Sequence, residues 1–232
     1  GGTVLSANLV IGLASATCDN WVQLDSGNLF VTNVTGDATL EVRTGKLILN
    51  GGVLRADRLV MTNACGLFVR NGGTLTVGTV LLRPDLDADG DGIPNIWEQT
   101  YGLDPLNAAD ANVDSGNGQT NLQVFQLTGN LDDDGDGFTH LQELIAGTDS
   151  DDSASYPHIT SVAQQGGDVE IDWMAVGGHS YAVQTNATVD AGFTDVSPVI
   201  AMPGVGPTAT NYLDLGGATN TPSFFYRVRL VP

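Results

Sequence analysis

The sequence predicts a mainly β protein in three parts: a short parallel β-solenoid over residues 1–83, a small helical module over 84–152, and a β-sandwich over 153–232. Three observations carry this reading. Strand-like repeats punctuated by Gly fill the first part, and regularly spaced acids mark the second. Alternating strands that finish on Phe-Tyr-Arg-Val fill the third. Thirty Gly, eight Lys plus Arg and abundant Val, Leu and Thr agree with β structure rich in turns. A chain of 232 residues has room for one to three such small domains.

The first part repeats itself. GNLFVTNVTGDATLEV starts at Gly27, GKLILNGGVLRADRLVM at Gly45 and CGLFVRNGGTLTVGTVLL at Cys65. Each segment is about 18–21 residues, the length of one solenoid rung. The spacing predicts Leu29, Leu47 and Leu67 in register, with turns at Gly51-Gly52 and Gly72-Gly73. Stacked parallel rungs would then bury Leu, Val and Ile and expose Thr, Asn and Arg. An antiparallel meander is the alternative, because Asn-Gly-Gly also makes hairpins. Over residues 27–82 the pattern resembles the passenger repeats of autotransporter-type bacterial surface proteins. The two cysteines, Cys18 and Cys65, would form a disulfide from the solenoid's start to its last rung, or sit as two small buried residues inside the coil.

Residues 87–98 (DADGDGIPNIWE) and 132–143 (DDDGDGFTHLQE) share one twelve-residue pattern. Asp stands at positions 1, 3 and 5, Gly at 6 and Glu at 12. Ca²⁺ takes six to eight hard oxygen ligands, so a tight loop must aim alternate carboxylates inward, offer a carbonyl at position 7 and close with a bidentate Glu. The spacing therefore predicts two calcium ions. The first would be held by Asp87, Asp89, Asp91, the Ile93 carbonyl and Glu98, with Asn95 holding a bridging water. The second would be held by Asp132, Asp134, Asp136, the Phe138 carbonyl and Glu143, with His140 in the water-bridging place. Pro94 suits the first turn of an exiting helix, and Gly102 and Gly147 are placed to end the helices. No helix is expected to enter the first loop, because the chain reaches it from a strand through Arg83-Pro84.

These loop-plus-helix units, an EF-hand-like calcium module, resemble dockerin repeats and thrombospondin type-3-like segments. They are similar to the DxDGDGxxNxxE…GTDPxD repeats of large secreted bacterial proteins. The matching residues here are DADGDGIPNIWEQTYGLDP and DDDGDGFTHLQELIAGTDSDD, within 85–152. Asp104, Asp149 and Asp151 could add ligands or serve as turn residues. A third copy between the loops carries apolar or neutral residues at its ligand positions. Aligned from its C-terminal side it places Val113 at position 1, Ser115 at 3, Asn117 at 5, Gly118 at 6, Asn121 at 9 and Val124 at 12. It is expected to be structural and metal-free.

Charge follows the same division. Residues 84–152 hold 16 of the 27 acids, and no Lys or Arg lies between Arg83 and Arg227. Without metal the segment should repel itself. Nucleic acid and anionic membranes are poor partners for a chain of net charge −19, and no run of about 18 apolar residues predicts membrane insertion.

Beyond the acidic segment, alternating strands around Trp173 suggest a fibronectin-III-like sandwich. Trp173, Tyr181 and Tyr226 could stack on a sugar, but their alternation favours the core. His140, His158 and His179 have no partnered nucleophile pattern, and no zinc, GxSxG or P-loop spacing occurs, so an enzyme is not expected.

The expectation is thus an extracellular or cell-surface structural or adhesive protein. Calcium would stiffen the connection between two β domains, and copies would join head to tail in a fibre. A carbohydrate or cell-surface partner is compatible. The alternative is a C-terminal accessory region, docking or carbohydrate-binding, of a secreted polysaccharide hydrolase. The Gly-Gly opening without Met suggests part of a longer product.

Overall fold

The computed structural model describes residues 2–12, 18–190, 192–219 and 224–231. It contains two compact units, Gly1–Thr128 and Gly129–Pro232.

The first unit begins with nine strands: β1 (Thr3–Ser6), β2 (Asn8–Ile11), β3 (Asn20–Leu24), β4 (Asn28–Val31), β5 (Thr39–Val42), β6 (Thr44–Leu49), β7 (Val53–Met61), β8 (Cys65–Arg70) and β9 (Thr74–Leu82). Every pairing among them is parallel. One sheet stacks β3-β6-β8. The other runs β1-β4-β7-β9, with β2 and β5 completing its far half against β7. This is a β-solenoid of about three turns, and parallel pairing excludes the meander.

The register differs from the one expected. Leu29 pairs with Leu54, which pairs with Leu75, all in one sheet. Leu47 lies in the other sheet, between Val22 and Phe68, while Leu67 faces Lys46. Each coil contributes to both sheets, so similar Leu-centred segments land on different walls. The glycine turns do stack. Val53 N–H donates to the Gly27 carbonyl at 2.8 Å and Thr74 N–H to that of Gly52 at 2.9 Å. A Cβ on Gly52 would lie 2.3 Å from the Gly27 oxygen, at a φ of +76°, so this corner excludes any side chain. Outside the turn, Asn71 Nδ2 donates to Asn50 Oδ1 and Asn50 Nδ2 to Asp25 Oδ1, forming a polar ladder along the coil.

The interior is the expected aliphatic stack: Val31, Leu40, Leu47, Leu49, Leu54, Leu59 and Phe68 are fully buried. Cys18 and Cys65 form a disulfide, resolving the alternative.

The last coil is covered. Phe68 N–H donates to the Ala88 carbonyl at 2.8 Å, and Ala88 and Leu106 join the solenoid's apolar core. The segment after β9 thus closes this end with residues of the first acidic loop and the turn beyond α1. Helix α1 (Asn95–Tyr101) follows the loop and ends at Gly102, φ +75°. Helix α2 (Asn121–Thr128) follows the middle loop, and Trp97 meets Phe125 edge-on at 5.1 Å.

The second unit opens with the second acidic loop and α3 (His140–Ala146). A capping box, with Thr139 and Gln142 bonding each other's backbone N–H, starts this helix, and Gly147 at φ +74° ends it. Seven strands follow: β10 (Ile159–Gln165), β11 (Asp168–Gly177), β12 (Ser180–Asn186), β13 (Thr194–Asp195), β14 (Ile200–Ala201), β15 (Gly206–Asp214) and β16 (Phe225–Val231). They form two antiparallel sheets, β10-β11-β15 and a second centred on β12 with β13, β14 and β16. Ile171, Trp173 and Ala175 from one sheet share an apolar cluster with Tyr181 and Val183 from the other. Trp173 and Tyr181 are therefore interior residues, as their alternation predicts. The Tyr226 hydroxyl donates to Asp214 Oδ2 at 2.7 Å, tying β16 to β15 across the sheets.

Candidate metal centres

The two acidic loops fold alike because the same side chains hold the same backbone. In the first, Asp87 accepts from Gly90 N–H at 2.6 Å and Gly92 N–H at 2.9 Å. Asp89 accepts from Asp91 N–H at 3.3 Å, and Asp91 from Ile93 N–H at 2.8 Å. In the second, Asp132 accepts from Gly135 N–H at 2.7 Å and Gly137 N–H at 3.0 Å. Asp134 accepts from Asp136 N–H at 3.2 Å, and Asp136 from Phe138 N–H at 2.8 Å. Each bend needs a left-handed residue, which the glycines supply: φ is +82° at both Gly90 and Gly135.

Once the turns are made, several carboxylate oxygens remain. Asp89 Oδ2, Asp91 Oδ2 and both oxygens of Glu98 are buried with no hydrogen-bond partner; so are Asp134 Oδ2, Asp136 Oδ2 and Glu143 Oε2. Glu98 and Glu143 are both 0% exposed. A buried unpaired carboxylate is among the costliest groups a fold can carry. Ligand oxygens of Asp87, Asp89 and Asp91 lie within 4.8 Å of one another, as do those of Asp132, Asp134 and Asp136. Oxygen-only donors at this spacing fit a hard divalent cation.

The electrostatics agree. Burial, then the charges of Asp89, Asp91 and Asp110, push Glu98 up to about 9. Burial and the neighbouring Asp91 and Asp87 push Asp89 up to about 7. Asp91 rises to about 6 through burial, opposed in part by its bond from Ile93 N–H. Burial, with Asp136 and Asp134, also raises Glu143. Each group holds its proton more tightly folded than unfolded. That contribution to stability is fully present below about pH 4 and is lost as pH rises through about 6 to 9. The melting temperature of metal-free protein is expected to fall between pH 5 and 9, and excess divalent cation should remove most of that slope. A metal-free melting temperature that climbs over this window would contradict the assignment.

Two position-9 residues make other contacts. Asn95 is fully buried; its Oδ1 accepts from Ala88 N–H at 3.1 Å and its Nδ2 donates to the Arg83 carbonyl at 2.8 Å. It anchors the loop to the solenoid exit. His140 Nδ1 lies 3.3 Å from Asp133 Oδ2. Asp104 Oδ1 accepts from Leu106 N–H and Asp149 Oδ1 from Asp151 N–H, closing turns.

The middle loop is one residue shorter than its neighbours, and Asp114, not Val113, opens it. Asp114 Oδ1 accepts from Gly116 N–H at 2.8 Å and Gly118 N–H at 3.1 Å, the position-1 role. Ser115 Oγ bonds Asn117 Oδ1 at 2.9 Å and the Gln119 carbonyl at 3.0 Å. Those are the groups that positions 5 and 7 would present to an ion. The Ser115 hydroxyl has one proton for the two, and backbone N–H groups supply the rest: Gln119 N–H donates to Asn117 Oδ1 and Ser115 N–H to the Gln119 carbonyl.

Sequence reasoning missed Asp110. Its Oδ1 is buried and unpartnered, and a ligand oxygen of Asp110 lies within 4.8 Å of those of Asp91 and Glu98. It belongs to no loop motif; only its nearness to Glu98 in space reveals it.

Comparison of the chain with protein-family models, curated proteins and solved structures returns no match.

Proposed function

We propose that this chain is an extracellular, calcium-binding structural or adhesive protein, with one calcium ion in each complete acidic loop ordering the acidic stretch between two β regions. The observation that carries the reading is the pair of glutamates, Glu98 and Glu143, fully buried in the two loops with carboxylate oxygens that have no hydrogen-bond partner. Loop-plus-helix geometry of this kind supports the EF-hand-like, dockerin-like reading. The two antiparallel sheets around Trp173 support a fibronectin-III-like sandwich.

The disulfide fits an oxidising compartment, and outside the cell free calcium is high enough for modules of about 10⁻⁴–10⁻³ M affinity. Among the described residues no helix is long and apolar enough to cross a membrane.

Isothermal titration of metal-free protein tests this. The expected stoichiometry is two calcium ions per chain. Glu98→Gln and Glu143→Gln should each remove one ion, and the double variant should bind none. A wild-type stoichiometry of zero would overturn the proposal, while three would restore the middle loop as a site.

A further inference from the structure

We propose that Asp110 is a fifth carboxylate ligand of the first centre and makes that centre the tighter of the two. The inference rests on the calcium reading above and extends it to a residue outside either loop.

Asp110 opens a short 3-10 turn, Asp110–Asn112, beyond α1. Its Oδ2 accepts from Asp104 N–H at 2.9 Å, which fixes the side chain. Its Oδ1 is buried without a partner, and a ligand oxygen of Asp110 lies within 4.8 Å of those of Asp91 and Glu98. Opposite oxygens around one Ca²⁺ are about 5 Å apart, since each sits 2.3–2.6 Å from the ion, so all three fit a single coordination sphere. The independent pointer is Glu98: 0% exposed, with both oxygens unpartnered and able to bind bidentately in that sphere.

The middle loop gives this ligand its support. Asn121 Nδ2 donates to the Asp110 carbonyl at 2.8 Å, in the manner of Asn95 on Arg83. Asn121 of the middle loop thereby helps to hold a ligand proposed for the neighbouring loop.

The second centre lacks the equivalent acid. Ser155 stands as far beyond Glu143 as Asp110 does beyond Glu98. Its Oγ accepts from Asp149 N–H at 3.1 Å, the counterpart of the Asp110–Asp104 contact. A neutral hydroxyl there leaves four carboxylates against five, and calcium affinity follows ligand charge count.

Calorimetric titration of calcium into the metal-free full chain tests the assignment, with melting curves taken with and without calcium. Wild type should show two separable steps. Asp110→Asn keeps an acceptor for Asp104 N–H but should weaken the tighter step about tenfold or more and leave the other unchanged. Without metal this variant should melt no lower than wild type, because a repelling charge is gone, yet its gain on adding calcium should shrink. Ser155→Asp should tighten the weaker step. Two steps unchanged by Asp110→Asn would overturn the inference, as would equal destabilisation with and without calcium, the mark of a purely structural residue. Failure of the underlying calcium reading looks different: no binding by wild type, or unaltered binding by Glu98→Gln.

Discussion

Removing the calcium proposed for the first loop is expected to unfasten the last coil of the β-solenoid. Phe68 is fully buried in β8, although no further strand follows it in its sheet. Its N–H is taken by the Ala88 carbonyl, and Ala88 and Leu106 seal the core beside it. Ala88 lies between Asp87 and Asp89, so the residue that caps the coil is held by the residues proposed to bind the ion. Without the ion, Asp87, Asp89, Asp91, Glu98 and Asp110 stay crowded, a repulsion that Glu98 and Asp89 relieve in part by holding protons, and no Lys or Arg after Arg83 in this unit offsets it.

A ligand that binds only the folded state stabilises it by about 2.7 kcal/mol at a hundredfold excess over its dissociation constant. Chelation forfeits that amount and adds the repulsion. In native-state hydrogen exchange, the Phe68 amide should lose protection on chelation, while Leu47 and Leu49 in the preceding strand keep theirs. Unchanged protection at Phe68 would show that the cap stands without metal.

The second large effect belongs to the disulfide. Cys18 and Cys65 are separated by 47 positions. Chain-entropy arithmetic for a loop of that length gives about 4 kcal/mol of stabilisation. β3 and β8 flank β6 in one sheet, and the crosslink joins the chain just before β3 to the first residue of β8, tying together strands paired by parallel and therefore non-local contacts. Replacing both cysteines with Ser should shift the urea midpoint of the first unit by one to several molar, given slopes of about 1–3 kcal/mol/M. The second unit, which contains neither cysteine, should unfold as before. A shift in the first unit worth less than about 1 kcal/mol would mean that its unfolded chain is already constrained by other means.

What the sequence determined by itself is the chemistry that acts locally. The two acidic loops, the turns at Gly90 and Gly135, and the helix ends at Gly102 and Gly147 all rest on contacts between residues a few positions apart. Spacing alone therefore states them, and the same holds for strand alternation around Trp173. The repeat of Gly and Leu also pointed to a solenoid, because stacking glycine corners demands residues without side chains at regular steps, but it left the antiparallel meander open until the parallel pairing excluded it.

Tertiary structure decided whatever depends on which wall a residue reaches. Leu29 and Leu47 read as equivalents but lie in different sheets, since one coil builds two walls and Leu-centred strands occur in both. The middle loop's missing residue was invisible until Asp114, and not Val113, took the Gly116 and Gly118 amides. Asn95 fits a water-bridging pattern, yet the solenoid's exit claims its amide. Asp110 had no motif to announce it, because a turn after α1 carries it back to Glu98 through contacts no short window contains. An ion gathers oxygens by distance in space, and linear spacing reports that distance only within a single turn of chain.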